Sequence, residues 1–171
     1  MKNYVLVLGC FSMLWFGAKA QIRNNGQVSM LDSGKTFQFV DMTDINGIKI
    51  KASSLVGKTV VMNFWFLGCP PCRYEIPQLS KIADRYKYNK DVVFIAVATD
   101  GTDSLKNFLK SNTFSYRLVS DGKWLNAKYG ISMSPLSLII SKKGMIIFNS
   151  YTERFVSAVP SRITDILKNQ L

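Results

Sequence analysis

Dense apolar runs separated by polar segments organise this chain. Val60 to Leu67 is almost continuously apolar, β-branched and aromatic. A run of that kind predicts a central strand buried on both faces. Asp91 to Thr99 contains a second such run, Val92 to Ala98. Leu136 to Ile140 and Met145 to Asn149 predict a hairpin, joined through Ser141-Lys142-Lys143-Gly144. Phe114 to Val119 reads as a short strand. Nearer the start, Thr36 to Met42 is a strand candidate, and Ile48 to Ala52 alternates Ile with Lys as a half-exposed strand does. Between them Thr43-Asp44-Ile45-Asn46-Gly47 predicts a turn, because Asn-Gly tolerates positive φ. Ser53 to Gly57 reads as a short capped turn.

Helical spacing appears in three further stretches and at one short site. Arg73 to Lys87 repeats apolar residues at Ile76, Leu79, Ile82, Ala83 and Tyr86, with Pro77 expected to kink the helix. Thr102 or Asp103 is expected to cap a helix reaching about Lys110. Asp121 to Tyr129 predicts a short helix stopped by Gly130. Pro160 to Lys168 carries Ile163, Ile166 and Leu167 on one face. The order β-β-β-α-β-α-β-α-β-β-α predicts one α/β domain, a central mixed sheet flanked by helices with an N-terminal hairpin extension. Phe64 and Phe66 are expected in the core on one face, with Trp65 under the turn that follows; Trp124 and Met133 are also expected in the core.

The first twenty residues follow a different logic. Lys2 opens a short basic region, Tyr4 to Ala18 is apolar, and Ala18-Lys19-Ala20 fits a small-x-small cleavage site. The reading is a signal peptide over 1–20, a flexible lead-in over 21–35 and a folded domain over 36–171. Two alternatives stand beside it: an uncleaved anchor, and a lipidation box at Val7-Leu8-Gly9-Cys10. Each implies export, periplasmic or membrane-tethered. Cleavage after Ala20 leaves two cysteines of three, Cys69 and Cys72, and lowers the formal charge from +11 to +9. In an oxidising compartment a chain reduced to one CxxC is built around that pair. The basic balance does not point to nucleic acid, since there is no dense Lys/Arg run; it fits solubility or attraction to acidic partners and anionic lipid surfaces.

Cys69-Pro70-Pro71-Cys72 follows directly on the central strand. Two prolines suit the first turn of a helix, so the sulfurs fall where strand hands over to helix. Unpaired N–H groups and the positive helix pole stabilise a thiolate there, Cys69 being nearest. Thiol–disulfide exchange needs such a thiolate and a second thiol one turn on, at Cys72. Competing chemistries fit less well. A four-residue disulfide loop adds little as a staple. Zinc wants four ligands, and the chain has no His and no second CxxC. Haem attachment needs CxxCH, but Arg73 follows Cys72. No metal and no cofactor is expected. Glu75, three residues past Cys72, shares its helix face, either beside the thiols or as a surface residue paired to Arg73 or Lys81.

These motifs resemble the thioredoxin-like proteins of the TlpA/ResA group, exported bacterial thiol–disulfide oxidoreductases. The likeness spans roughly Thr36 to Leu171. It rests on Asn63-Phe64-Trp65 before Cys69-x-x-Cys72, on Glu75 and Pro77, on Lys128-Tyr129-Gly130-Ile131 with Pro135, and on Leu138-Ile139-Ile140 with Gly144. The resemblance implies a thioredoxin-like fold and an exposed, attacking Cys69. It implies a cis Pro135 facing the disulfide, and a Glu75 that tunes thiol acidity. Asn63 stands where cytoplasmic thioredoxins bury an aspartate. Two positions depart from the pattern: Gly68 replaces the usual Trp before the first cysteine, and Ser134 replaces a β-branched or apolar residue before the proline. Both flank the substrate groove by analogy. The implied partners are protein disulfides or dithiols and a membrane electron donor, with the chain a monomer. The implied role is a reductant in cytochrome c maturation or general periplasmic repair. Two alternatives remain. A thiol peroxidase would need Pro-x-x-x-Thr/Ser-x-x-Cys, and Phe66 and Cys69 occupy the Thr/Ser position before the two cysteines. The other is a redox-inert binding module.

Overall fold

The computed structural model describes residues 31–171. The expected signal peptide, Cys10 and most of the lead-in lie outside the described residues.

A five-stranded mixed sheet forms the centre. The strands are β3 (Thr59–Trp65), β4 (Val92–Ala98), β5 (Arg117–Val119), β6 (Leu136–Ile140) and β7 (Ile146–Asn149), in the order β5-β4-β3-β6-β7. Strand β3 pairs parallel with β4 and antiparallel with β6. Every residue of β3 is buried, as its unbroken apolar run requires. Alternation along it feeds two cores. Val61 and Trp65 face α1 (Pro70–Arg85) and α4 (Val159–Gln170), where Ile76, Leu79, Ile163 and Leu167 meet them. Val60, Met62 and Phe64 face α3 (Lys123–Tyr129), meeting Leu125 and Tyr129. Helix α2 (Thr102–Leu109) adds Leu105 to the first core. No helix among the described residues is long and apolar enough to cross a membrane.

The N-terminal hairpin is smaller than the alternation suggested. It comprises β1 (Met42–Thr43) and β2 (Lys49–Ile50), paired Met42 to Ile50 and Thr43 to Lys49. The Asp44 carboxylate shapes the turn, accepting the N–H groups of Asn46 (3.0 Å) and Ile48 (2.9 Å), and at the open end the Asp41 carboxylate takes the Ala52 N–H (2.8 Å) that a longer ladder would have used. The start of the expected first strand does something else. Thr36 bridges Met145, and Gly34 and Lys35 exchange hydrogen bonds with Ile146, so this segment covers the β7 edge. Within the expected flexible lead-in, Leu31 is already buried and its carbonyl accepts from Asn149 Nδ2.

Helix α1 continues through Pro77, which lies on its exposed side, where water can serve the carbonyl left without a donor. Other expectations need correction. Gly101 precedes α2 and no side chain caps it; the Thr102 hydroxyl bonds Ser120 instead. Gly130 does close α3, at φ 66°. Trp124 and Met133 are exposed, at 49% and 63%, because both stand on segments whose inward positions belong to Leu125 and Ile131. Phe66 is exposed too: β3 ends at Trp65, and past that point strand alternation no longer directs side chains inward.

Candidate active site

Two strand ends and one helix start make the site. The carboxyl end of β3 leads through Phe66–Gly68 to Cys69, the N-cap of α1, with Pro70 and Pro71 as its first two residues. The turn is held from β4: Asp100 Oδ2 accepts the Leu67 N–H (2.8 Å), and Thr99 N–H reaches the Trp65 carbonyl (3.3 Å). Nothing in the pattern around Asp100 singled it out, since a loop aspartate after a strand reads as a turn residue. On the other side, β6 pairs Leu136 with Phe64. The residue before Leu136 is Pro135, so its loop leaves the sheet where β3 turns into α1. The Ser134–Pro135 peptide is cis, as the resemblance implied, and both residues are half-buried.

Cys69 and Cys72 form a disulfide with Cα atoms 5.3 Å apart. The Cys69 sulfur also accepts the Cys72 N–H at 3.2 Å, which makes it the helix cap. Here the expectation of an exposed Cys69 fails. Both cysteines are only 2% exposed. The Cys69 sulfur turns inward over the first turn of α1, and the exposed surface belongs to Phe66, Gly68 and Pro70. A shallow depression lined by Leu67, Gly68, Pro70 and Arg73 opens beside it. A Cβ at Gly68 would meet the Phe66 ring at 3.5 Å, an ordinary van der Waals contact.

Beneath the disulfide the surroundings are apolar, with exceptions that matter. Trp65 packs in the cluster that holds both cysteines, ringed by Phe108 (5.5 Å) and Phe114 (5.4 Å), and its Nε1 has no partner among the described residues. Glu75 is 1% exposed, and neither carboxylate oxygen has a hydrogen-bond partner among the described residues. Burial pushes its pKa up to about 8, because a desolvated carboxyl favours its neutral form. The alternative of a surface glutamate paired to Arg73 or Lys81 is therefore excluded. Tyr116, whose hydroxyl is buried and also unpartnered, lies within electrostatic reach of Glu75, and burial followed by that charge pushes its own pKa up. Periodicity gave no sign of Tyr116, an aromatic at a strand edge. Asn63 is buried and donates to Ser137 Oγ at 3.0 Å, tying β3 to β6 through side chains. Among the described residues no group of three or more His, Cys, Asp or Glu could hold a metal ion.

Comparison with known proteins bears on the whole arrangement. A family model described as the AhpC/TSA family matches residues 33–149. The chain is 35% identical over 108 residues to the thiol-disulfide oxidoreductase ResA of Bacillus thuringiensis (strain Al Hakam), spanning 62% of each chain. Less than two thirds of that relative's length is thus matched. To ResA of Bacillus cereus (strain ATCC 10987 / NRS 248) it is 34% identical over 119 residues, 68% of each chain. Among solved structures, a thiol:disulfide interchange protein from Bacteroides sp. superposes with a TM-score of 0.65 at 24% identity, covering 79% of this chain and 90% of that one. That last likeness speaks for the thioredoxin-like fold.

Proposed function

Because the chain belongs to the AhpC/TSA family, we propose that it is a thiol–disulfide oxidoreductase acting on protein disulfides through Cys69 and Cys72. The observation that carries this reading is the disulfide at the start of α1, with the Cys69 sulfur as the helix cap. That position supplies what exchange needs: an N–H donor and a positive helix pole for a thiolate, with a second sulfur in bonding range.

The steps follow from the two sulfurs. In the reduced protein the Cys69 thiolate attacks one sulfur of a substrate disulfide. A Cys69–substrate bond forms, the substrate S–S bond breaks, and the other substrate sulfur leaves as a thiolate that takes up a proton. Cys72, having given up its proton, attacks the Cys69 sulfur and expels the second substrate thiolate. Two electrons have then passed to the substrate, and the protein holds the Cys69–Cys72 disulfide. Glu75, one turn beyond Cys72 and protonating near pH 8, is the group suited to exchange a proton with the buried Cys72 thiol. Trp65 and Pro135 shape the ground on which the substrate lies, with Ser134 and Gly68 bordering it. Pro70 and Pro71 hold the helix start.

The direction of electron flow in this reading is reduction, in cytochrome c maturation or general disulfide repair outside the cytoplasm. The chain is exported, acts as a monomer, binds no nucleic acid and is recharged by a dithiol donor at the membrane. The resemblance to ResA, and an N-terminus patterned as a signal peptide, support this part. The test is turnover of insulin disulfides with dithiothreitol, together with the reduction potential against glutathione. Activity and a potential near −270 mV, on the order of thioredoxin's, are expected. A potential near −120 mV would make the protein an oxidant, and no turnover would leave a binding module.

A further inference from the structure

Met133 and Tyr151 are joined twice. The Met133 N–H donates to Tyr151 Oη at 3.2 Å, and the same hydroxyl donates to the Met133 carbonyl. Tyr151 stands on the 3₁₀ turn Ser150–Thr152 that follows β7. That turn is anchored on three sides. Asn149 Oδ1 accepts the Tyr151 N–H (2.9 Å), Thr152 Oγ1 donates to the Asn149 carbonyl (2.8 Å), and Ser150 Oγ accepts the Ser137 N–H (2.8 Å). A fixed base thus delivers one hydroxyl to the loop that enters Ser134–Pro135. Yet Met133 is 63% exposed and Tyr151 40%, so water could satisfy these groups equally well. The clasp is not a repair of buried polar atoms. What it does is occupy both backbone hydrogen-bonding groups of Met133. The next residue is left open: among the described residues no hydrogen bond engages Ser134.

We propose that Tyr151 is a positioning residue for protein substrates. By holding Met133, it fixes the loop ahead of Pro135 and makes Ser134 the free backbone edge beside the disulfide. An extended substrate segment can add to a short edge of this kind through main-chain hydrogen bonds. Pre-fixing the loop lowers the ordering cost of that encounter. The inference rests on the oxidoreductase reading above. It concerns only how large substrates dock, not the exchange between sulfurs.

Tyr151→Phe tests it, since the ring stays and only the hydroxyl goes. Insulin serves as the protein substrate and 5,5′-dithiobis(2-nitrobenzoate) as a small disulfide with no backbone to pair. The expected result is a KM for insulin raised about two- to tenfold, the worth of one hydrogen bond, with kcat kept. The rate with the small disulfide should stay unchanged, while the Met133 amide exchanges its hydrogen faster. An unchanged KM overturns the proposal. So does a parallel loss with both substrates, which would mean that Tyr151 acts on the thiols or the fold. If the unmodified protein reduces neither substrate, the oxidoreductase reading fails, whatever the variant does.

Discussion

Glu75 lies one helical turn beyond Cys72 on the buried face of α1, and its carboxyl group has no hydrogen-bond partner among the described residues. Its pKa of about 8 falls in a range that histidine usually owns, and this chain has no histidine.

Replacing Glu75 with Gln removes a negative charge that is present only above about pH 8 and opposes thiolate formation there. The upper limb of the Cys69 alkylation profile, above about pH 8, should therefore move to lower pH, while the limb below it, where Glu75 is neutral, stays in place. Iodoacetamide labelling of the reduced protein against pH measures it. A profile that does not move would separate Glu75 from the thiols.

Stability should carry the same signature. In the unfolded chain Glu75 titrates near 4.5, and in the folded protein near 8. Between those values the unfolded state has lost the proton that the folded state keeps. Stability of the oxidised protein should thus fall as pH rises through this window, by up to about 1.4 kcal/mol per unit, and level off above it. Glu75→Gln should remove that slope in urea melts run from pH 5 to pH 9.

The two sulfurs should behave differently when each is removed. Cys72→Ser leaves a nucleophile without a resolving thiol, so mixed disulfides should accumulate as bands that collapse on reduction. Cys69→Ser should trap little, because Cys72 lies inside the first turn of α1, farther from its positive pole than the N-cap position of Cys69, and is therefore less ionised. Neither change should cost much stability, since the closed loop is short. The reverse trapping pattern would exchange the two roles.

Asp44 offers a test away from the redox site. It accepts from Asn46 N–H, Ile48 N–H and Arg117, the last at 2.9 Å, and its side chain is 6% exposed. Burial alone would raise its pKa, but these donors together hold it below the usual carboxylate range. Asp44→Ala should destabilise the protein by about 2–3 kcal/mol, leaving Arg117 without its partner. The wild-type contribution is complete above pH 4 or so and is lost as pH falls through the lowered value. Thermal melts at pH 7 and pH 3 should therefore differ less for the variant than for the parent.

The sequence made legible those parts of the fold that periodicity dictates. The runs ending at Trp65 and Ala98, and the two short runs between Leu136 and Asn149, each became a sheet strand, as short β-branched apolar runs bounded by turn residues favour. What escaped was decided by single side chains acting across the chain. Asp41 helped to shorten the hairpin by capturing the Ala52 N–H that a longer ladder would have used. Phe66 reads as strand by its neighbours, yet the turn to Cys69 begins one residue earlier. At the site, the cysteines and Pro135 could be read from spacing and resemblance. The burial of Cys69, Asp100 under Leu67 and Tyr151 on Met133 could not, because each depends on residues 3 to 33 positions away meeting through tertiary structure.

The Cys69 sulfur is at once reagent and helix cap. A thiolate is a stronger acceptor than a disulfide sulfur, so the Cys72 amide sits in a different field in each redox state. The first turn of the longest helix among the described residues thereby becomes a built-in gauge of electron content. The resonance of that one amide proton should distinguish the reduced, mixed-disulfide and oxidised protein from inside the fold, with no label and no contact with the substrate.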